Sequence, residues 1–123
     1  LLKIESNKMI SQENKILNNL KEEKDMVIKV GNDNFEEEVL KSEKTVLIDF
    51  YATWCGPCKM LSPILEKAES ELKVIKVDVD EYEELAREYG VMSIPTIILF
   101  ENGKELKRNI GFIDKERLEN FLK

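Results

Sequence analysis

Two hydrophobic patterns divide the chain near residue 25. In the first segment Leu2, Met9, Ile10, Ile16, Leu17 and Leu20 recur at helical spacing; wound at about 100° per residue, they fall within an arc of roughly 120°. This predicts an N-terminal amphipathic helix over residues 1–25, a segment with no Gly, Pro or aromatic residue. Asn7, Asn14, Asn18 and Asn19 lower its intrinsic helicity, so the helix needs a surface to dock on, either the rest of the chain or another chain.

From Met26 short β-rich runs alternate with segments of helical period. Residues 27–30 read as a strand and Gly31-Asn32-Asp33 as a turn. Asn34 opens a helix, with Glu37 in capping-box position and Phe35, Val39 and Leu40 on the buried stripe. Residues 45–51 are almost continuously apolar, as in a central strand covered on both faces. A helical pattern begins at Cys55 and continues through Met60, Leu61, Ile64, Leu65 and Ala68, with a kink expected at Pro63. There follow a strand over 74–79, a short helix over 83–89 ended by Gly90, and a hairpin of 96–100 and 105–110 turning at Asn102-Gly103. Residues 114–122 form a closing helix with Asp114 as N-cap. The order βαβαβαββα predicts an α/β fold, a central five-stranded mixed sheet flanked by four helices.

Composition narrows the chemistry. At 123 residues, with 42% hydrophobic and 36% charged residues, the chain suits one small domain with a single core under a charged surface. Residues 1–25 balance their charges, so the formal net charge of −6 belongs to residues 26–123 and disfavours phosphate backbones and anionic lipid. Neither a nucleic acid nor a membrane is expected as a partner, and no stretch approaches the roughly 20 apolar residues of a membrane span. The absence of His excludes Ser-His and Cys-His catalysis, His-ligated metals and haem attached through C-x-x-C-H.

Only two cysteines are present, Cys55 and Cys58. A random pair would show this spacing about one time in sixty, so the C-x-x-C arrangement carries information. Two thiolates do not complete a tetrahedral zinc site, which would need carboxylates or a second chain, and so tight a loop adds little as a structural staple. Redox chemistry fits better. Following a central strand, Cys55 falls at a helix N-terminus, where unpaired N–H groups and the macrodipole favour a thiolate. Cys55 is therefore the expected nucleophile of thiol–disulfide exchange, with Cys58 one turn further in to resolve the mixed disulfide.

The run Trp54-Cys55-Gly56-Pro57-Cys58-Lys59, preceded by Asp49-Phe50-Tyr51-Ala52-Thr53 and followed by Ser93-Ile94-Pro95-Thr96, resembles the thioredoxin family. The resemblance covers residues 26–123 and leaves 1–25 as an extension or linker without counterpart. It implies the thioredoxin fold, a cytoplasmic reductant of protein disulfides that needs no bound cofactor, and re-reduction by a thioredoxin reductase. Gly56-Pro57 is the reducing type of intervening dipeptide, unlike the Pro-Tyr or Gly-His usual in glutaredoxins and disulfide isomerases. The alternative reading is a binding or docking module cut from a larger protein.

Residue by residue, the resemblance implies that Asp49 is a buried acid beneath Cys58 that exchanges a proton with it through water. Lys76 matches the family's Lys that approaches this carboxylate, and Pro95 matches its cis-proline. Trp54, Gly56, Pro57, Val79, Ile94, Pro95, Ile110 and Gly111 match an apolar substrate-docking surface around the disulfide. Two positions depart from common family usage: Tyr51, where Trp is frequent, and Ser93, where Gly often stands.

Overall fold

The computed structural model describes residues 27–29, 31, 34–68 and 72–123. The helix expected over residues 1–25 lies outside the described residues, as do Val30, Asn32 and Asp33. The elements are β1 (Val27–Lys29), α1 (Glu36–Leu40), β2 (Val46–Tyr51), α2 (Gly56–Lys67), β3 (Lys73–Asp78), α3 (Glu83–Glu88), β4 (Thr96–Glu101), β5 (Lys104–Ile110) and α4 (Lys115–Phe121). They form one mixed sheet of five strands in the order β1-β3-β2-β4-β5, in which β1 contributes three of the described residues. β1 and β2 flank β3 in parallel, while β4 runs antiparallel to both β2 and β5.

Alternation along the central strands builds two cores. Val46, Ile48 and Phe50 of β2, Ile75 and Val77 of β3, and Ile98 and Phe100 of β4 pack with Phe35, Val39, Leu85 and Ala86 of the α1 and α3 side. Leu47, Val74, Ile97 and Leu99 point the other way, onto Leu61 and Leu65 of α2 and Ile113 and Leu118 near and on α4. With both faces covered, the central strands must be apolar throughout, which is why 45–51 reads as a continuous run. Asp49 is the exception: it takes the position between Leu47 and Tyr51 on the α2 face, where a further aliphatic side chain would fit the pattern.

Local signals set most boundaries. Asn102 and Gly103 adopt φ of 52° and 77°, the left-handed pair that a two-residue hairpin turn requires. A bulge in the β4–β5 register pairs Leu99 with Lys107 and Phe100 with Glu105, and so skips Leu106, which is left exposed. Asp114 caps α4 as expected, its carboxylate accepting the Arg117 N–H at 2.8 Å. α2 runs on through Pro63 to Lys67.

The expected capping box before α1 does not form. The Asn34 side chain accepts the backbone N–H of Gly31 at 3.0 Å, Phe35 stands at the helix start with no side-chain cap, and Glu37 pairs with Lys41 instead. The helix itself is a short π-type turn, closed by Lys41 N–H donating to the Glu36 carbonyl at 2.9 Å. Asn34 satisfies the turn before it rather than the helix after it, a competition to which Asn is prone.

Candidate active site

Four backbone segments leave the sheet along one row. Phe50 pairs with both Val77 and Thr96, and Thr96 with Ile110, so the residues after β2, after β3, before β4 and after β5 all emerge at the same end. These segments carry Trp54 to Cys58, Val79, Ile94-Pro95 and Ile110-Gly111. Parallel strands ending together beside a helix N-terminus make this end the natural place for a reactive site.

Cys55 and Cys58 form a disulfide, with Cα atoms 5.2 Å apart. Cys55 is the N-cap of α2, in extended conformation, and its sulfur accepts the Cys58 backbone N–H at 3.2 Å. Pro57 lies in the first turn, where its missing N–H removes no helical bond. The sulfur of Cys55 therefore occupies the position at which an N-cap oxygen normally satisfies the helix's unpaired donors. Accessibility does not separate the two cysteines, which are 4% and 2% exposed; position on the helix does.

Around the pair, Ala52 is buried against both cysteines, and Tyr51, Val79 and Ile94 pack onto that cluster. The Val79 N–H donates to the Tyr51 carbonyl at 2.9 Å and extends the β2–β3 ladder to the site. The Ile94–Pro95 peptide bond is cis, and the Pro95 carbonyl accepts the Gly111 N–H at 2.8 Å. Gly111 has φ of 95°, a conformation that residues with a Cβ rarely adopt. Trp54, Gly56, Pro57 and Ile110 are exposed, Val79, Ile94 and Gly111 half-buried, and Pro95 buried beneath them.

Trp54 is 68% exposed, yet held: its indole N–H donates to Asp80 Oδ2 at 2.7 Å. Asp80 is placed in turn by Asp78, whose Oδ1 accepts the Asp80 N–H at 2.9 Å. Sequence reasoning did not single out Asp80, nor Met92, which is 97% exposed and lies with Val79, Arg87 and Val91 along a shallow groove beside the site. A second groove, between Pro63, Ile64 and Ala68 of the α2 end and Leu118 and Leu122 of the α4 end, lies in the half of α2 remote from the cysteines.

On β2, Asp49 is fully buried, and neither carboxylate oxygen has a hydrogen-bond partner among the described residues. Burial pushes its carboxyl up from 3.8 to about 7, opposed by the charge of Lys76. Lys76 is its register partner on β3, but the two form no ion pair. The Lys76 ammonium donates instead to Ser62 Oγ of α2 at 2.8 Å and lies 4.4 Å from the centre of the Tyr51 ring. Ser62 was also absent from the sequence-based site.

The family model for thioredoxin matches residues 26–123. The chain belongs to the thioredoxin family. A thioredoxin of Rickettsia bellii is 46% identical over 101 residues, covering 79% of this chain and 96% of that protein. The bifunctional thioredoxin reductase/thioredoxin of Mycobacterium leprae is 50% identical over 97 residues, 76% of this chain and 21% of that one. Among solved structures, a variant thioredoxin from Halobacterium salinarum NRC-1 superposes with a TM-score of 0.73 at 37% identity, over 79% of this chain and 88% of that chain. With the cysteine pair at the thioredoxin position, the chain is a dithiol–disulfide oxidoreductase that reduces protein disulfides.

Proposed function

We propose that the chain is a general reductant of protein disulfides in the cytoplasm, restored by a thioredoxin reductase that draws on NADPH or ferredoxin. In the reduced protein the Cys55 thiolate attacks one sulfur of a target disulfide; that bond breaks, and the other target sulfur leaves as a thiolate. Cys58 then gives its proton to the Asp49 carboxylate, directly or through water, and attacks the Cys55 sulfur. The target leaves as its second thiolate, and Cys55–Cys58 remains as the disulfide. Two electrons pass to the target, and no bound cofactor takes part.

The observation that carries this reading is a cysteine sulfur acting as the N-cap of α2 and bonded to Cys58, with a buried carboxylate without a partner among the described residues on the strand that leads to it. A helix N-terminus favours the anion on Cys55. A desolvated carboxyl with its pKa at about 7 can both accept and return a proton at neutral pH. Trp54, Gly56, Pro57, Val79, Ile94, Pro95, Ile110 and Gly111 serve as the docking surface, supported by their convergence on one row of the sheet. The Mycobacterium leprae relative, named as a reductase and thioredoxin in one chain, supports a reductase as the partner. The redox domain comprises residues 26–123, with 1–25 as an extension that docks on the domain or on another chain.

Reduction of insulin disulfides by the full chain, coupled to a thioredoxin reductase, tests the proposal. A chain that binds the reductase but leaves insulin intact would be a docking module instead. Cys58→Ser should freeze mixed disulfides on Cys55 and allow the targets to be identified.

A further inference from the structure

We propose that Ser62 is a positioning residue: its hydroxyl, together with the face of the Tyr51 ring, pins the Lys76 ammonium beside Asp49 and so fixes the electrostatic field in which that carboxylate works. The geometry is specific. Ser62 lies one helical turn beyond Cys58 on α2, between the buried Leu61 and Leu65 and half-buried itself, at the edge of the helix that overlies β3. Its oxygen accepts from Lys76 Nζ at 2.8 Å, well inside hydrogen-bond range, and the ring of Tyr51 lies 4.4 Å from the same nitrogen.

Both contacts are needed because Lys76 is only half-buried, and its flexible stem can take the ammonium into solvent. Asp49 lies directly across the ladder from Lys76 and has no polar partner among the described residues, so its proton affinity answers to this one cation. The other groups facing Asp49 leave little else to set the field. β4 presents Ile97 at its register position, and α2 and α4 bring Leu61, Leu65 and Leu118 to the same side. Tyr51 is its neighbour on β2; burial first, then Asp78, Glu81 and Asp49, raise the pKa of that phenol, so it stays neutral near pH 7. Lys76 lowers the proton affinity of Asp49, and releasing Lys76 from its pin raises it.

The effect on turnover rests on the reading of Asp49 as the acceptor of the Cys58 proton; the effect on titration does not. The experiment is a pH titration of the Asp49 carboxyl by 13C NMR in the oxidised full chain, where the cysteines do not titrate. Ser62→Ala should move the midpoint upward by roughly half a pH unit, less than Lys76→Met does. Ser62→Thr, which keeps the hydroxyl, should restore the parent midpoint, and Ser62→Ala added to Lys76→Met should change nothing further. An unmoved or lowered midpoint in Ser62→Ala, or a full shift on top of Lys76→Met, overturns the proposal. Insulin reduction against pH separates the two layers. A moved midpoint with an unmoved pH–rate profile supports the positioning role and overturns the assignment of Asp49 as proton acceptor.

Discussion

Replacing Asp49 by Asn removes a charge that the fold compensates only in part, and the consequence for stability can be worked out with its sign. The carboxyl has a pKa of about 7 in the folded protein against 3.8 for the unfolded chain, burial being the cause and Lys76 the partial offset. Between those values the folded state holds a proton that the unfolded state has released. Stability therefore falls as pH rises from about 4 to 7, then levels off. The difference in proton affinity corresponds to about 4 kcal/mol at the plateau. Asn has nearly the same shape and cannot ionise. The variant should match the parent near pH 4 and exceed it by about 2–4 kcal/mol at pH 8, where the parent must bury a carboxylate. Guanidinium unfolding of the oxidised full chain, followed by circular dichroism at several pH values, reads this difference. Release of the mixed disulfide near neutral pH should slow in the same variant. A gain that is the same at pH 4 and pH 8, or a variant that is less stable yet fully active at neutral pH, would refute the reasoning and make Asp49 structural.

Limited iodoacetamide treatment of the reduced protein should label Cys55 well before Cys58, because the helix N-terminus favours its thiolate; mass mapping that finds equal labelling would reject the assignment. Trp54→Ala should weaken insulin reduction through KM while changing stability by less than about 0.5 kcal/mol, since the ring is mostly exposed; steady-state kinetics beside a melt decides this. A chain truncated to begin at Met26 should fold and reduce insulin at least as fast as the full chain, which should itself show slower turnover or association in sedimentation. Failure of the truncated chain to fold would move the proposed domain boundary.

Most of the fold was legible because burial on both faces of the sheet writes itself into the sequence as continuous apolar strands, and because turn chemistry is local. Asn102-Gly103 and Asp114 act within a few residues, and both behave as read. Asn34 shows where local reading fails. Its side chain had two backbone groups within reach, the helix ahead and the Gly31 N–H behind, and the sequence does not rank them. The convergence of the residues proposed for docking was legible through a motif dispersed along the chain, whose pieces emerge from one row of the sheet. Asp80 and Ser62 were not. Their roles arise from contacts across 26 and 14 residues, to Trp54 and Lys76 respectively, and nothing local distinguishes them from ordinary surface Asp and Ser. The spacing of Ser62 from Cys58, one helical turn, was the available clue.

In the proposed mechanism the Cys55 sulfur and the Asp49 carboxyl are perturbed by opposite means, and the arrangement of β2 and α2 produces both. Unpaired N–H groups at the start of α2 meet the Cys55 sulfur and favour negative charge there, while the body of the same helix, through Leu61 and Leu65, covers the sheet face that holds Asp49 and disfavours negative charge there. In the proposed mechanism one helix thus favours an anion on its capping sulfur and a proton on the carboxyl that it buries. Under the same mechanism, shortening α2 at its start would weaken the stabilisation of a Cys55 thiolate, and loosening its packing would return the Asp49 carboxyl toward its ordinary range and make it a poorer acceptor for the Cys58 proton. The aliphatic core on the α2 face is consequently part of the chemistry: a cavity such as that of Leu61→Ala, which admits water to Asp49, should lower the pKa of that carboxyl as well as cost about 2–5 kcal/mol of stability. The same NMR titration would detect the change, and an Asp49 midpoint unmoved by a water-filled cavity would show that burial is not what sets it.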